Sequence, residues 1–175
     1  MKDLPLSQTY NLGRLGQTGD EVALAASEEQ RAALAAVAEI LAVPQFTARI
    51  ALKKLSPTRF EIQYELAAGI IQACVVTLEP LTAHIARTFT RELQYTPSLR
   101  RGDQEKEVIV SPGEEEIPEE IGSLHYDLAG PLVEEFLLAI DPYPRAPGVE
   151  FAPPKEMQDQ PESPFAVLKG LKSGG

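Results

Sequence analysis

The sequence lacks the residues that several common kinds of site require. Its 175 residues include one cysteine, Cys74, and no tryptophan. A single thiol excludes an internal disulfide framework and any zinc site built from several thiolates. The two histidines, His84 and His125, are too far apart in the chain to share a helical face as metal ligands. We therefore expect no metal and no cofactor.

Long apolar runs are also missing. The longest uninterrupted ones, such as residues 32–38 and 136–140, are far shorter than the roughly 20 residues that a membrane-spanning helix needs. The first residues show no basic flank followed by an apolar stretch, so they lack the features of a secretory signal. These absences predict a cytoplasmic protein that does not enter a membrane.

Familiar catalytic motifs are absent too. The chain contains no G-x-x-x-x-G-K-S/T, no G-x-G-x-x-G, no H-E-x-x-H and no G-x-S-x-G. The one nucleophile to weigh is Cys74, paired with a histidine as base. Its apolar neighbours Ala73, Val75 and Val76 are instead typical of a buried, inert thiol. We assign no catalytic residue, and an enzyme of unknown chemistry is the least favoured hypothesis.

Charge is plentiful but unevenly distributed. The net charge of −10 opposes nucleic-acid binding, because lysine and arginine supply most of the non-specific affinity for phosphate. Residues 103–120 hold eight acids and one base, however, whereas residues 46–101 hold eight bases and four acids. The candidate RNA-contact residues from the basic stretch are Arg49, Lys53, Lys54, Arg59, Arg87 and Arg91. The candidates for holding a basic protein are Glu114, Glu115 and Glu116.

Two amphipathic helices are predicted. Ser27 and Gln30 form an S-x-x-Q capping box, and the alanine-rich run behind them predicts a helix over 28–41. Asp127 is a suitable N-cap for a second helix over 128–139. Pro131 falls at the fourth position of that helix, where its ring costs a hydrogen bond, so we expect an irregular start.

Alternation of apolar and polar residues predicts strands between these helices. The clearest is an antiparallel hairpin with a basic tip, formed by 46–53 and 59–66 around a Ser56-Pro57 turn. Gly69 is expected to mark a bulge or a close backbone approach. The remaining strand candidates are 22–26, 74–78, 82–95 and 107–110.

Together these elements predict an α+β fold, with a twisted antiparallel sheet of about five or six strands packed against the two helices. We expect one domain over 1–140, with an acidic loop inserted at 103–120. Residues 141–175 form a proline-rich tail that contains a short helical motif at 163–172. The expected core residues are Leu34, Val37, Ile50, Ile62, Tyr64, Val75, Phe89, Leu132 and Phe136.

Three segments, in order, resemble the YceD family of large ribosomal RNA subunit accumulation proteins. They are QACVVTLEP at 72–80, DLAGPLVEEFLLAIDPYPRAPG at 127–148 and SPFAVLKGLK at 163–172. In the family, a strand ending in G-x-x-x-A-C is followed by T-L-E-P, and a D-P-Y-P-R turn lies further on. The matching residues are Gly69, Ala73, Cys74, Thr77, Leu78, Glu79, Pro80, Asp127, Asp141, Pro142, Tyr143, Pro144 and Arg145.

The resemblance implies a bacterial, non-enzymatic protein that is required for normal levels of 23S ribosomal RNA. Its implied partners are a large-subunit ribosomal protein, the rRNA, or both, and the two alternatives stay open here. Many relatives carry a second cysteine three residues after the first and a later cysteine cluster, suggestive of zinc. Thr77 and DPYPRAPG stand at those positions, so zinc is not carried over. Further candidates for partner binding, from the third segment, are Phe165, Leu168 and Leu171.

Overall fold

A computed structural model describes residues 5–97 and 118–150. The predicted strand 107–110, the glutamates 114–116 and the helical motif 163–172 lie outside these ranges. The described elements, in chain order, are β1 (Thr9–Asn11), a 3-10 helix (Leu12–Arg14), β2 (Asp20–Ala25), α1 (Glu28–Val37), β3 (Ala42–Lys54), β4 (Arg59–Ala73), β5 (Pro80–Tyr95), β6 (Glu119–Ile121), β7 (His125–Asp127) and α2 (Ala129–Ala139).

The main sheet has five strands in the order β2-β3-β4-β5-β6, and β1 pairs with β7 in a separate two-stranded sheet. This arrangement confirms the α+β class. The sheet is not wholly antiparallel as expected, because β6 runs parallel to β5. A long connection between β5 and β6 allows the chain to return in the same direction. Glu119 and Glu120, predicted as part of the acidic loop, belong to this edge strand.

The predicted hairpin is formed by β3 and β4, with Ile50 opposite Tyr64 and Leu52 opposite Ile62. These apolar residues are all buried on the face of the sheet that we call the inner face. The bulge expected at Gly69 lies beside it, since the register shifts in β3 between Ala42 and Gln45, and Gln45 pairs with Gly69. A Cβ at Gly69 would lie at an ordinary 3.8 Å from the Cβ of Gln45, so no close backbone approach requires glycine there.

Helix α1 begins at the predicted capping box, in which Gln30 N donates to Ser27 Oγ and Ser27 N donates to Gln30 Oε1. It ends at Val37, four residues earlier than predicted. Glu39 has a left-handed φ of 54°, which stops the helix before β3 starts. Val37 is consequently 50% exposed and is not a core residue, contrary to expectation.

Helix α2 begins at Ala129, one residue later than predicted. Pro131 is therefore its third residue, where the backbone N–H has no partner within the helix and proline costs nothing. The expected irregular start is wrong for this reason. The N-cap is Leu128, without a side-chain capping bond, and not Asp127 as expected. The Asp127 Oδ1 nevertheless accepts from Ala129 N at 3.1 Å and from Gln8 N at 2.7 Å.

The core lies between the inner face of the sheet and the two helices. Phe46 meets Phe136 of α2 edge to face with ring centroids 5.4 Å apart, and Tyr64 stacks on Phe89 at 4.6 Å. The predicted core residues that are fully buried are Leu34, Ile50, Ile62, Tyr64, Leu132 and Phe136. Phe89 is partly buried, and Val75 is 45% exposed, so its assignment to the core was wrong. No helix within the described ranges is long and apolar enough to cross a membrane.

Candidate functional site: the clasp around Cys74

Strand β4 ends at Ala73, and the chain reverses into β5 through a turn over residues 74–79. Leu78 N donates to the Cys74 carbonyl at 2.9 Å, and Cys74 N donates to the Glu79 carbonyl at 2.8 Å. The predicted strand at 74–78 is therefore wrong. Local hydrogen bonds, including one from Glu79 N to Thr77 Oγ1 at 3.4 Å, outweigh the β propensity of Val75 and Val76.

Residues 141–146, predicted as the start of the tail, contact this turn. Val75 N donates to the Pro144 carbonyl at 2.9 Å, and Gln72 Nε2 donates to the Asp141 carbonyl at 2.8 Å. The fold thus brings together the segments QACVVTLEP (72–80) and DPYPR (141–145), between which 60 residues intervene in the sequence. We call residues 74–79 together with 141–146 the clasp.

Cys74 lies at the centre of the clasp and is fully buried. Its sulfur accepts a hydrogen bond from Ala146 N at 3.4 Å. Hydrogen bonds from the Thr77 side chain, and then from the backbone N–H groups of Thr77, Ala146 and Val76, lower the pKa of the thiol to about 7. The sulfur therefore acts as an acceptor that joins the two segments.

The clasp exposes three large apolar side chains. Leu78 is 76% exposed, Tyr143 70% and Val75 45%. Leu78 also adopts a left-handed φ of 62°, which is unfavourable for leucine. Strained backbone and grouped apolar exposure are both typical of binding surfaces. The sequence marked Leu78 only as part of a motif, and no local pattern predicted its exposure.

The clasp does not fit a zinc site. Structural zinc takes four thiolate or imidazole ligands, and Cys74 is the only cysteine in the chain. Within the described ranges, no three His, Cys, Asp or Glu side chains are grouped closely enough to hold a metal ion. His84 lies on β5, where it pairs with Gly69 of β4, and His125 lies on β7, where it pairs with Asn11 of β1. The two histidines therefore belong to different sheets.

The six candidate RNA-contact residues are not brought together on one surface. Arg49, Lys53 and Arg59 alternate with buried residues and lie on the outer face of the sheet, opposite the helices. Arg87 and Arg91 lie on the inner face, where they contact Glu135 and Glu134 of α2.

Five of these six cations form ion pairs with glutamates. Arg49 contacts Glu21 at 3.1 Å and Glu65 at 3.7 Å. The other distances are 3.9 Å for Lys53 to Glu61, 2.8 Å for Arg59 to Glu92, 3.8 Å for Arg87 to Glu135 and 3.1 Å for Arg91 to Glu134. Lys54 has no carboxylate within 4.0 Å in the part of the chain that the structure describes. The positive charges of these five residues are therefore largely balanced by neighbouring carboxylates in the fold.

Comparison with known proteins yields one family. No curated protein and no solved structure matches the chain. The family model described as "Large ribosomal RNA subunit accumulation protein YceD" matches residues 62–172. This match covers more than half of the chain and includes both halves of the clasp. The chain therefore belongs to the YceD family, whose role is in the accumulation of large-subunit ribosomal RNA.

Proposed function

We propose that the protein is a non-enzymatic, cytoplasmic factor that supports 23S rRNA accumulation and large-subunit biogenesis by binding a basic ribosomal protein before assembly. Family membership supports the link to the large ribosomal subunit. The observation that favours a protein partner over RNA is the neutralisation of the basic residues by neighbouring glutamates.

This neutralisation weakens the case for direct RNA contact. Exposed ion pairs are individually weak, so a phosphate group can displace a glutamate from an arginine. The displaced carboxylate remains nearby, however, and repels the phosphate. For Arg49, two carboxylates lie within 4.0 Å. Fewer counterions are then released on binding, and the non-specific affinity falls accordingly.

The acidic and apolar features support a protein partner instead. A net charge of −10 attracts a strongly basic protein over long range and speeds their encounter. The exposed Leu78 and Tyr143 of the clasp supply the apolar and aromatic contacts that dominate binding energy at interfaces. Glu114, Glu115 and Glu116 are proposed to provide the charge, and Phe165, Leu168 and Leu171 further apolar contacts.

Two sets of charge variants test this proposal. Glu114→Gln with Glu115→Gln and Glu116→Gln is expected to weaken binding to purified basic large-subunit ribosomal proteins. Lys53→Glu with Lys54→Glu serves as the control and should not weaken that binding. Titration calorimetry over a series of salt concentrations measures both. Equal affinities for the wild type and the triple variant would contradict the proposal.

Direct rRNA binding is the second candidate function, and the position of Lys54 favours it. Lys54 lies at the hairpin tip without a carboxylate within reach in the described ranges. If RNA binds there, the lysine double variant weakens binding to rRNA fragments. It also reduces the slope of log affinity against log salt by about 0.7 to 0.9 for each lost phosphate contact. The glutamate triple variant then has no effect or binds RNA more tightly.

A further inference from the structure

Within residues 5–97 and 118–150, one edge of strand β5 is almost entirely unpaired. The strand pairs with β4 in an unbroken register from Ala73 opposite Pro80 to Arg59 opposite Gln94. On its other edge, β6 pairs only with residues 93–95. Along residues 80–92, no described strand lies beside this second edge. β6 shows that the edge accepts an added strand where one is available.

The direction of the backbone groups follows from two hydrogen bonds at the end of the strand. Thr96 N donates to the Ile121 carbonyl on the β6 side, and Tyr95 N donates to the Thr58 carbonyl on the β4 side. Backbone groups of alternate residues in a strand point the same way. The residues that present N–H and C=O groups to the open edge are therefore the even-numbered ones, Thr82, His84, Ala86, Thr88 and Thr90.

Of the usual protections against strand pairing, the described part of this edge carries only two charged side chains on the inner face, Arg87 and Arg91. Exposed edges are normally blunted by lysine, by internal proline, by bulges or by short length. Residues 81–92 contain neither lysine nor proline, and the register with β4 shows no bulge. Arg87 is held by Glu135 of α2 and Arg91 by Glu134. A row of unpaired peptide groups of this length is chemically complementary to another β-strand.

The side chains of β5 are complementary to a second copy of themselves. Leu81, Ile85 and Phe89 recur every four residues, and Ile85 is buried on the inner face. Two β5 strands can pair antiparallel about a two-fold axis through Ile85. Leu81 of each copy then lies opposite Phe89 of the other. Ala83 then faces Arg87, so no like charges meet. A register centred on Arg87 would instead set two arginines opposite each other, which is destabilising.

We propose that two copies of this chain pair through β5, antiparallel, with Ile85 on the two-fold axis, to form one continuous sheet in which β2–β5 of the two copies give eight adjacent strands and each β6 lies in line with the β5 of the other copy. The even-numbered residues supply the hydrogen bonds, with Thr82 opposite Thr88 and His84 opposite Ala86. A single strand pair buries less than the roughly 1,200 Å² of a standard interface. The dimer is therefore weak and depends on concentration.

The first test is the mass of the full chain measured by sedimentation equilibrium from about 1 μM to 1 mM. The mass is expected to rise from 19.1 kDa towards twice that value. Ala83 is exposed, so its replacement leaves the monomer fold intact. The Ala83→Arg variant places an arginine opposite Arg87 of the other copy and is expected to weaken the dimer affinity roughly tenfold. The Ala83→Glu variant places a carboxylate there and is expected to strengthen the dimer.

The second test removes a hydrogen bond from the open edge. Thr88→Pro eliminates an outward N–H and is expected to abolish dimerisation, whereas Thr88→Val retains the N–H and the dimer. Circular dichroism establishes that both variants fold. A monomer at every concentration would overturn the proposal, as would a dimer of the same affinity in Ala83→Arg. Slow hydrogen exchange at Ala86 and Thr88 in a monomer would also overturn it, because the edge would then be covered by the chain itself.

Discussion

The backbone N–H of Ala146 donates a hydrogen bond to the sulfur of Cys74, a residue 72 positions earlier in the chain. This bond closes the clasp between the turn after β4 and the segment after α2. Since Cys74 is fully buried and Ala146 partly buried, removal of the acceptor leaves the Ala146 N–H without its partner in the clasp. We propose that the role of the thiol is structural, which substitution can test.

Cys74→Ser is expected to lower the free energy of unfolding by about 1 kcal/mol and to preserve 23S rRNA levels, because serine still accepts hydrogen bonds. Cys74→Val removes the acceptor and should cost about 1–3 kcal/mol. Urea unfolding and rRNA quantification in complemented cells measure the two effects. A well-folded Cys74→Ser protein that fails to support rRNA accumulation would indicate a catalytic thiol.

The same thiol gives a pH dependence with a defined sign. Its pKa is lowered from 9.0 to about 7 in the folded protein, chiefly by the Thr77 hydroxyl. A lowered pKa means that the folded state favours the thiolate, so this stabilisation is complete above pH 9 and is lost as the pH falls through 7. The stability of the wild type relative to Cys74→Ser should therefore rise between pH 7 and pH 9. A constant difference across this range would show that the thiol does not titrate there.

The Leu78→Gly variant distinguishes the effect of backbone strain on stability from the effect of the side chain on partner binding. Leu78 and Glu39 both have left-handed φ values, of 62° and 54°, and glycine at either position should raise the free energy of unfolding by roughly 0.5–1 kcal/mol. Only Leu78→Gly removes an exposed apolar side chain from the clasp. We expect it to reduce rRNA accumulation while Glu39→Gly does not. Equal activity of the two variants would show that Leu78 makes no functional contact.

Deletion of residues 161–175 is expected to spare the fold. Phe165, Leu168 and Leu171 offer little apolar area at about 25 cal/mol per Å², compared with the large core that the sheet and helices already bury. Thermal unfolding should stay close to that of the full chain, whereas binding to the ribosomal protein should weaken. A fall of the unfolding temperature by tens of degrees would instead make this segment part of the domain.

Local patterns in the sequence predicted the elements that depend on local chemistry. The alternation from Phe46 to Leu66 gave the β3–β4 hairpin because one face of the sheet is buried and the other is exposed. The capping box at Ser27 marked the start of α1. The spacing of Leu128, Leu132 and Phe136 identified the buried side of α2.

Features that depend on contacts distant in sequence were missed. Val75 and Val76 have high β propensity, but the turn is set by hydrogen bonds to Glu79 and Pro144. Val37 follows the apolar period of α1, yet the helix ends there. The candidate RNA-contact residues belong to a stretch of the sequence with a net positive charge. Their glutamate partners lie on other elements, so the sequence does not show the ion pairs. The meeting of the two clasp segments likewise has no local signal.

The pairing of β1 with β7 sets an order for folding. Tyr10 pairs with Tyr126, and Leu12 N donates to the Leu124 carbonyl at 2.8 Å, so the loop between them is very long. Closing such a loop is entropically costly and slow compared with forming the contiguous β3–β4–β5 meander. Pulsed hydrogen exchange during refolding should protect the amide of Tyr64 before that of Tyr10. During synthesis β1 therefore stays unpaired until residue 127 has left the ribosome, and Leu12, which follows it, stays without its Leu124 partner until then.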